Sequence, residues 1–380
     1  MRKYFSFKLF ILLIISFSLV ISCDFNFKNS GEEKEPLAES WNTAEPLKEI
    51  YKNNFLMGNI ISPGDINNNV RFGYLKRHYN IVTAENHMKP SNLAPSSNPG
   101  SVSANWVYNF STADAIVKKA LDEGFQIHGH TLIWHSQSQS PSWLAAGGEA
   151  YLNKFVTDVV THFKGKLLSW DVVNEAFRDG LTENDAQDWR NCLRKDDSPD
   201  DSPWYKSIGP DYIEKAFLAA RKADPKVKLY YNDYNLNGIG KARATYNMVS
   251  ELNNKHPGLI DGIGMQSHHH LGTNPQTVET SIKLFASLGV EIGITEMDII
   301  AANWPDLGLG TWNDNAAQLQ AKQYAAMFRI FKNNYKNISR VTFWGLDDGT
   351  SWRSQARVTL LNADYTLKPA FHAVMYPNRY

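Results

Sequence analysis

Eight times along the chain a short apolar run with β character gives way to a longer connection, most with helical spacing, and this alternation constrains the fold more than any other feature. The runs are Phe55–Ile61, Tyr79–Glu85, Phe125–Trp134, Leu167–Glu175, Val227–Asn235, Ile260–His268, Val290–Ile299 and Ile338–Leu346. The clearest helical patterns are Thr112–Glu123, Ala150–Phe163, Asp211–Ala223, Lys241–Asn253, Thr277–Leu288 and Ala316–Asn333, with Thr112 and Asp211 standing where helix N-caps belong. Near-continuous apolar strands separated by helices imply a parallel sheet covered on its outside. Eight such units without the mark of an edge strand favour a closed (β/α)8 TIM barrel over an open doubly wound sheet. No Gly-rich phosphate loop follows the first strand, which weakens the dinucleotide-binding alternative.

The barrel occupies residues 45–380 on this reading, and what precedes it is of another kind. Residues 1–22 (MRKYFSFKLFILLIISFSLVIS) have the basic start and apolar centre of a secretory signal peptide. The leader ends in LVIS-Cys23, which resembles a bacterial lipoprotein box, so Cys23 is expected to be lipidated and the protein membrane-anchored at the outer membrane or cell surface. An ordinary signal peptide with an incidental cysteine is the alternative. Residues 23–44 are then a polar, acidic tether between anchor and barrel. With only Cys23 and Cys192 in the chain, no disulfide framework exists and stability must come from a large core. Lys+Arg 39 against Asp+Glu 39 gives a formal net charge of zero, which argues against a nucleic-acid partner.

A (β/α)8 barrel builds its active site at the C-terminal ends of the strands, and here those ends are dense in polar groups. Strand two ends Glu85-Asn86-His87-Met88-Lys89; strand three carries His128, His130, Trp134 and His135; strand four ends Asp171-Val-Val-Asn174-Glu175. Strand five carries Asn232, Asp233 and Asn235, strand six ends Gln266-Ser267-His268-His269-His270, strand seven Glu296-Met297-Asp298, and strand eight reaches Trp344, Asp347 and Asp348. A carboxylate beside buried aliphatics is costly unless paired or used. Glu175 and Glu296 close apolar strands on opposite sides of the barrel, so both can face one central cavity. Two facing carboxylates are what glycoside hydrolysis requires. The bland alternative makes each a structural ion-pair partner, and two such sites inside a ring of Asn, Gln, His and Trp weaken it.

The same ring admits two other chemistries. His128, His130 and His135, or His268–His270, could ligate a metal, but no HExxH pattern appears and the amides and tryptophans suit sugars better than a cation. Ser136, Ser138, Ser140 and Ser142 lie in a polar loop with no GxSxG elbow. No metal and no cofactor are expected.

At these residues the sequence closely resembles glycoside hydrolase family 10, the retaining endo-β-1,4-xylanases. The matching segments are TAENHMKP (83–90), HGHTLIWHSQ (128–137), WDVVNEAF (170–177), YYNDYN (230–235), GIGMQSH (262–268), ITEMDI (294–299) and TFWGLDDGTSW (342–352), in the family's order and across the whole barrel. The resemblance implies that Glu175 is the acid/base and Glu296 the nucleophile, with carboxylates about 5–5.5 Å apart. It further implies that Asn174 bonds the 2-hydroxyl of the reacting sugar and that His268, held by Asp298, bonds Glu296. His130, Trp134 and Gln266 would line that sugar's subsite, with Gln266 also bonding Glu296. Glu85, Asn86, Lys89 and Gln137 would grip the next sugars, with Trp344 and Trp352 closing over them. The loop after strand four departs from the pattern: Glu183–Pro203 is an extra polar, acidic stretch that reads as a solvated face, with Cys192 a lone thiol.

The expected protein is thus a secreted, lipid-anchored, monomeric endo-xylanase whose partners are xylan and xylo-oligosaccharides. A glycosidase for another β-linked glycan and a catalytically silent glycan-capture lipoprotein are the alternatives. Nine of 11 tryptophans fall at strand ends or in βα connections, and about half of those nine are expected to touch sugar rings.

Overall fold

Eight strands hydrogen-bond in sequence into a ring. The computed structural model describes residues 40–195 and 202–380. Its barrel strands are β1 (Leu56–Ile61), β2 (Ile81–Ala84), β3 (Gln126–Gly129), β4 (Ser169–Asn174), β5 (Lys228–Asp233), β6 (Gly262–Met265), β7 (Glu291–Ile300) and β8 (Ile338–Phe343). Each pairs in parallel with the next, and β8 pairs back onto β1 from Leu56↔Arg340 to Asn59↔Phe343, closing the circle. A main helix follows each strand, with shorter ones in some connections: α1 (Asn69–His78), α2 (Ser111–Asp122), α3 (Gly148–His162), α4 (Tyr212–Ala223), α5 (Ile239–Lys255), α6 (Pro275–Ala286), α7 (Asp314–Asn333) and α8 (Pro369–Met375). The alternation in the sequence therefore becomes a (β/α)8 barrel. The leader, Cys23 and the tether up to residue 39 lie outside the described residues. Among the described residues no helix is long and apolar enough to cross a membrane.

Two of the apolar runs are broken in ways that serve the top of the barrel. The third run leaves the sheet after Gly129 and resumes as Ile133–Trp134, which pairs with the end of β4 at Ile133↔Val173 and Trp134↔Asn174. The sixth leaves it at Ser267, whose φ of 61° ends β6, and resumes as His268–His270 against the last residues of β7. Trp134 and His268 are thereby carried above the closed ring.

The helix starts differ from the sequence expectation. Helix α2 begins at Ser111 with Phe110 in the cap position, so Thr112 lies inside the first turn; Asp211 does precede α4, but with helical backbone and no capping bond. Side-chain caps come from Asn68 on α1, Asn274 on α6 and Asn313 on α7. Helix α8 has no polar stripe to read, because Ala370 through Met375 are all buried. In α1 the buried Phe72, Tyr74, Leu75 and His78 are interleaved with Arg71, Lys76 and Arg77.

The middle of the barrel is polar and internally paired. Buried Arg340 of β8 reaches across to His128 of β3 (3.0 Å) and lies 4.6 Å from the ring of Tyr230 on β5. Asp171 of β4 sits 2.9 Å from both His128 and His130. Its carboxyl is held below the usual range: burial opposes ionisation, and the two imidazoles outweigh it. Most buried polar groups in folded proteins are partnered, and these pairs stack upward toward the face where β4 and β7 end.

Candidate active site

A cavity of about 590 Å³ opens at that face. Its wall includes Glu85, Asn86, Lys89, His130, Trp134, Asn174, Glu175, Gln266, His268, Glu296, Trp344 and Trp352 from the residues singled out in the sequence, drawn from the ends of six different strands.

Glu175 sits one residue beyond β4 with φ of 56°, in the left-handed region that a non-glycine residue enters only when its surroundings insist. Its N–H donates to the Asn232 carbonyl (2.9 Å), and its own carbonyl accepts from Arg194 Nε (3.1 Å). The carboxylate accepts from Trp134 Nε1 (2.9 Å) on one oxygen and from Gln266 Nε2 (2.8 Å) on the other. Burial lifts this carboxyl above its ordinary value, the negative charges of Asp233 and Glu296 add to the lift, and the two donated bonds only partly oppose it.

Glu296, inside β7, has a different shell. Asn232 Nδ2 donates to Oε1 at 2.8 Å, and His268 Nε2 lies 3.2 Å from Oε2. Asp298 stands 3.0 Å from His268 Nδ1. Burial favours a protonated Glu296, yet the bond from His268 and the charges of His130 and His268 win, so the group is held below the usual carboxylate range. Burial likewise disfavours charge on His268, but Asp298 and Glu296 together raise it to about 9. A chain of amides joins the two carboxylates: Gln266 contacts Glu175 and Asn174, while Asn232 contacts Asn174 and Glu296. Gln266 thus serves Glu175, and Asn232 takes the place on Glu296 that the resemblance implied for Gln266. Asn174 Nδ2 is buried with no hydrogen-bond partner.

The remaining expectations divide. Lys89 donates to Asn86 Oδ1 (2.8 Å) and lies 5.2 Å from the Trp134 ring, and burial lifts the Glu85 carboxyl. Trp352 is 52% exposed and donates Nε1–H to Asp298 (2.9 Å), its ring 4.9 Å from that of His268. Gln137 is exposed and outside the cavity wall, where Gln139 stands instead. Of the tryptophans only Trp134, Trp344 and Trp352 line the cavity. Several of the others hold the loops together: Trp106 packs edge-on to Trp143 at 5.4 Å, Trp204 is buried beneath the Trp134 carbonyl (3.2 Å), and Trp304 joins Ile300 and Val358 in a small cluster. Long βα loops need cores of their own, which absorbs aromatics that strand-end position alone assigns to sugar. In the acidic loop Glu183, Asp185 and Asp188 are exposed, as a solvated face requires, but other described residues of it turn inward. Trp189, Cys192 and Leu193 are buried, with Trp189 Nε1 donating to Glu251 of α5 (2.9 Å) and Asn247 donating to the Ala186 carbonyl (2.7 Å).

Tyr234, Asn235 and Arg353 line the cavity without having been assigned a role from sequence, and Asn232, Asp171 and Asp233 act just behind it. The YYNDYN segment carried the signal for the strand-five group; Arg194, inside a charged stretch, carried none.

Comparisons with known proteins converge on one family. The model of glycosyl hydrolase family 10 matches residues 46–377. The chain is 37% identical to endo-1,4-beta-xylanase A of Thermotoga neapolitana over 345 residues, 87% of this chain but 31% of that protein. It is 38% identical to a beta-1,4-xylanase of Dictyoglomus thermophilum over 314 residues, 80% of this chain and 81% of the relative. The chain thus spans about a third of the length of the first of these. Among solved structures, a GH10 xylanase from termite gut with a bacterial Ig-like domain superposes with TM-score 0.80 at 37% identity, covering 90% of this chain and 79% of that one. The intracellular xylanase TsXylA of Thermoanaerobacterium saccharolyticum, solved as a mutant with xylotriose, gives TM-score 0.74 at 34% identity over 88% and 99% of the two chains.

Proposed function

The chain belongs to glycosyl hydrolase family 10, and from that premise we propose that it hydrolyses internal β-1,4-xylosidic bonds of xylan with retention of configuration. The observation that carries the reading is the opposed ionisation of two carboxyls in one cavity, Glu175 raised and Glu296 lowered. Glycosidase catalysis divides its work in this way, between a group that keeps its proton and a group that has lost it.

In the first step ionised Glu296 forms a bond to the anomeric carbon as the glycosidic C–O bond breaks, and Glu175 delivers its proton to the departing oxygen. The product is a glycosyl ester on Glu296 and an ionised Glu175. In the second step Glu175 takes a proton from water, the water oxygen attacks the anomeric carbon, and Glu296 departs as carboxylate. Asn174 Nδ2, a buried donor with no partner, suits the 2-hydroxyl of the reacting sugar. Glu85, Asn86, Lys89, Trp344 and Trp352 supply the polar and aromatic contacts for further sugars, with Gln139 rather than Gln137 beside them. The relatives named as xylanases support this substrate.

Reducing-sugar release from xylan, glucan and mannan by the wild type and by Glu296→Ala tests the assignment. Release from xylan by the wild type alone is expected, with β-configured product first seen by NMR. No release from xylan, or an initial α product, refutes it. The proposal extends to the N-terminus: Cys23 carries lipid, and the catalytic body acts as a membrane-anchored monomer. Mass spectrometry of the mature N-terminus and light scattering of the soluble body read these two points.

A further inference from the structure

The loop after β4 folds back onto the residue that begins it. Residues 176–178 and 192–194 run antiparallel: Phe177 bridges Leu193, Arg178 N–H donates to the Cys192 carbonyl (3.0 Å), and Arg194 N–H donates to the Ala176 carbonyl (2.9 Å). This return places Arg194, 6% exposed, beside Glu175. Its Nε donates to the Glu175 carbonyl (3.1 Å) and its Nη2 to Tyr234 Oη (2.6 Å). Tyr234, whose ring lines the cavity, donates in turn to Asp179, and Lys241 Nζ lies 3.8 Å from that ring, 3.3 Å from Asp179 and 2.8 Å from Asp233.

The left-handed backbone of Glu175 is the reason this contact matters. Only Gly, Asn and Asp visit that region readily, and another residue stays there only while its N–H and carbonyl are held. Asn232 holds the N–H from below and Arg194 holds the carbonyl from the loop. Loss of the guanidinium leaves a largely buried carbonyl short of a charged donor. The peptide can then rotate, swinging the carboxyl away from the oxygen it must protonate. We propose that Arg194 is a positioning residue for proton donation: it fixes the backbone of Glu175 so that the carboxyl faces the glycosidic oxygen, and through Tyr234 it ties that orientation to the cavity wall. The proposal rests on Glu175 being the acid/base.

Aryl β-xylobiosides of graded leaving-group ability test it, because dinitrophenolate departs without protonation and phenolate does not. For Arg194→Met, kcat/KM should fall about 10-fold or more on the phenyl substrate and on xylan, yet stay within about 3-fold of wild type on the dinitrophenyl substrate. Arg194→Lys, which keeps the charge but loses the fork, should recover part of the phenyl loss. The dinitrophenyl rate doubles as a check that the nucleophile's side of the cavity is intact. An equal loss on both substrates in both variants, or no loss on either, overturns the positioning role. Glu175→Gln on the same series separates the two layers: if it shows no leaving-group dependence, the acid/base assignment itself fails, and the Arg194 proposal with it.

Discussion

Glu175 and Glu296 are the same side chain, largely buried where strands that face each other end, and their surroundings shift the two carboxyls in opposite directions. Burial pushes both toward protonation. The difference lies in what answers that push. Glu296 is answered by an imidazole that Asp298 keeps protonated, whereas the Glu175 carboxylate accepts its hydrogen bonds from a neutral indole and a neutral amide and faces two further negative charges. Neutral donors soften the cost of a buried carboxylate, while a charged neighbour reverses it. The pair teaches that depth sets the size of the perturbation and the charge of the second neighbour sets its sign.

The most drastic way to break this comparison is to remove the partner that stays ionised. Glu296→Ala should lower kcat/KM on xylan by about 10⁴-fold or more, and added azide should restore turnover with an α-configured azide product detectable by NMR. Replacing the partner whose carboxyl is raised should cost less: Glu175→Gln is expected to lose about 10²- to 10⁴-fold on xylan, measured as reducing sugar.

Removing the imidazole should sharpen the contrast without abolishing it. His268 is raised to about 9 from 6.5, so its ion pairing contributes stability that is complete below pH 6.5 and is lost as pH rises through 9. Denaturant unfolding across that interval should show wild-type stability falling and His268→Gln flat. In the same variant Glu296 loses the influence that lowers it, so the acid limb of the kcat/KM profile should move to higher pH while the alkaline limb, set by Glu175, stays in place. The smallest effect lies at the rim. Gln139→Ala should raise KM for xylo-oligosaccharides by about 3- to 10-fold, the worth of one hydrogen bond, and Gln137→Ala should leave it unchanged.

What could be read from the chain beforehand follows from which signals are local. The barrel was legible because the alternation of apolar strands and helices repeats eight times and imperfections at single elements cancel. The two carboxyls that meet in the cavity were legible because a glutamate closing an apolar strand is locally anomalous, as at Val172-Val173-Asn174-Glu175. His268 beside Glu296 followed from the resemblance, but the amide partner of each carboxylate did not, since whether Gln266 or Asn232 donates to Glu296 depends on the chain leaving β6 at Ser267, a backbone turn that residue type does not announce. Gln137 and Gln139 differ by two positions in a polar loop of serines and glutamines, where no periodicity reports which side chain turns inward. Arg194 was the least legible. Its role comes from a loop returning to its own origin, a long-range contact with no pattern in the residues between.

Trp352 gives the site an optical property. Its indole is half in solvent, hydrogen-bonded to Asp298 and close to the His268 ring. Protonated imidazole quenches indole emission, so Trp352, one of three tryptophans lining the cavity, is placed to respond to the charge of His268 and, under the proposed function, to a sugar ring stacked over it. On that reading the protein's own emission reports a glycan entering the cleft without an added label.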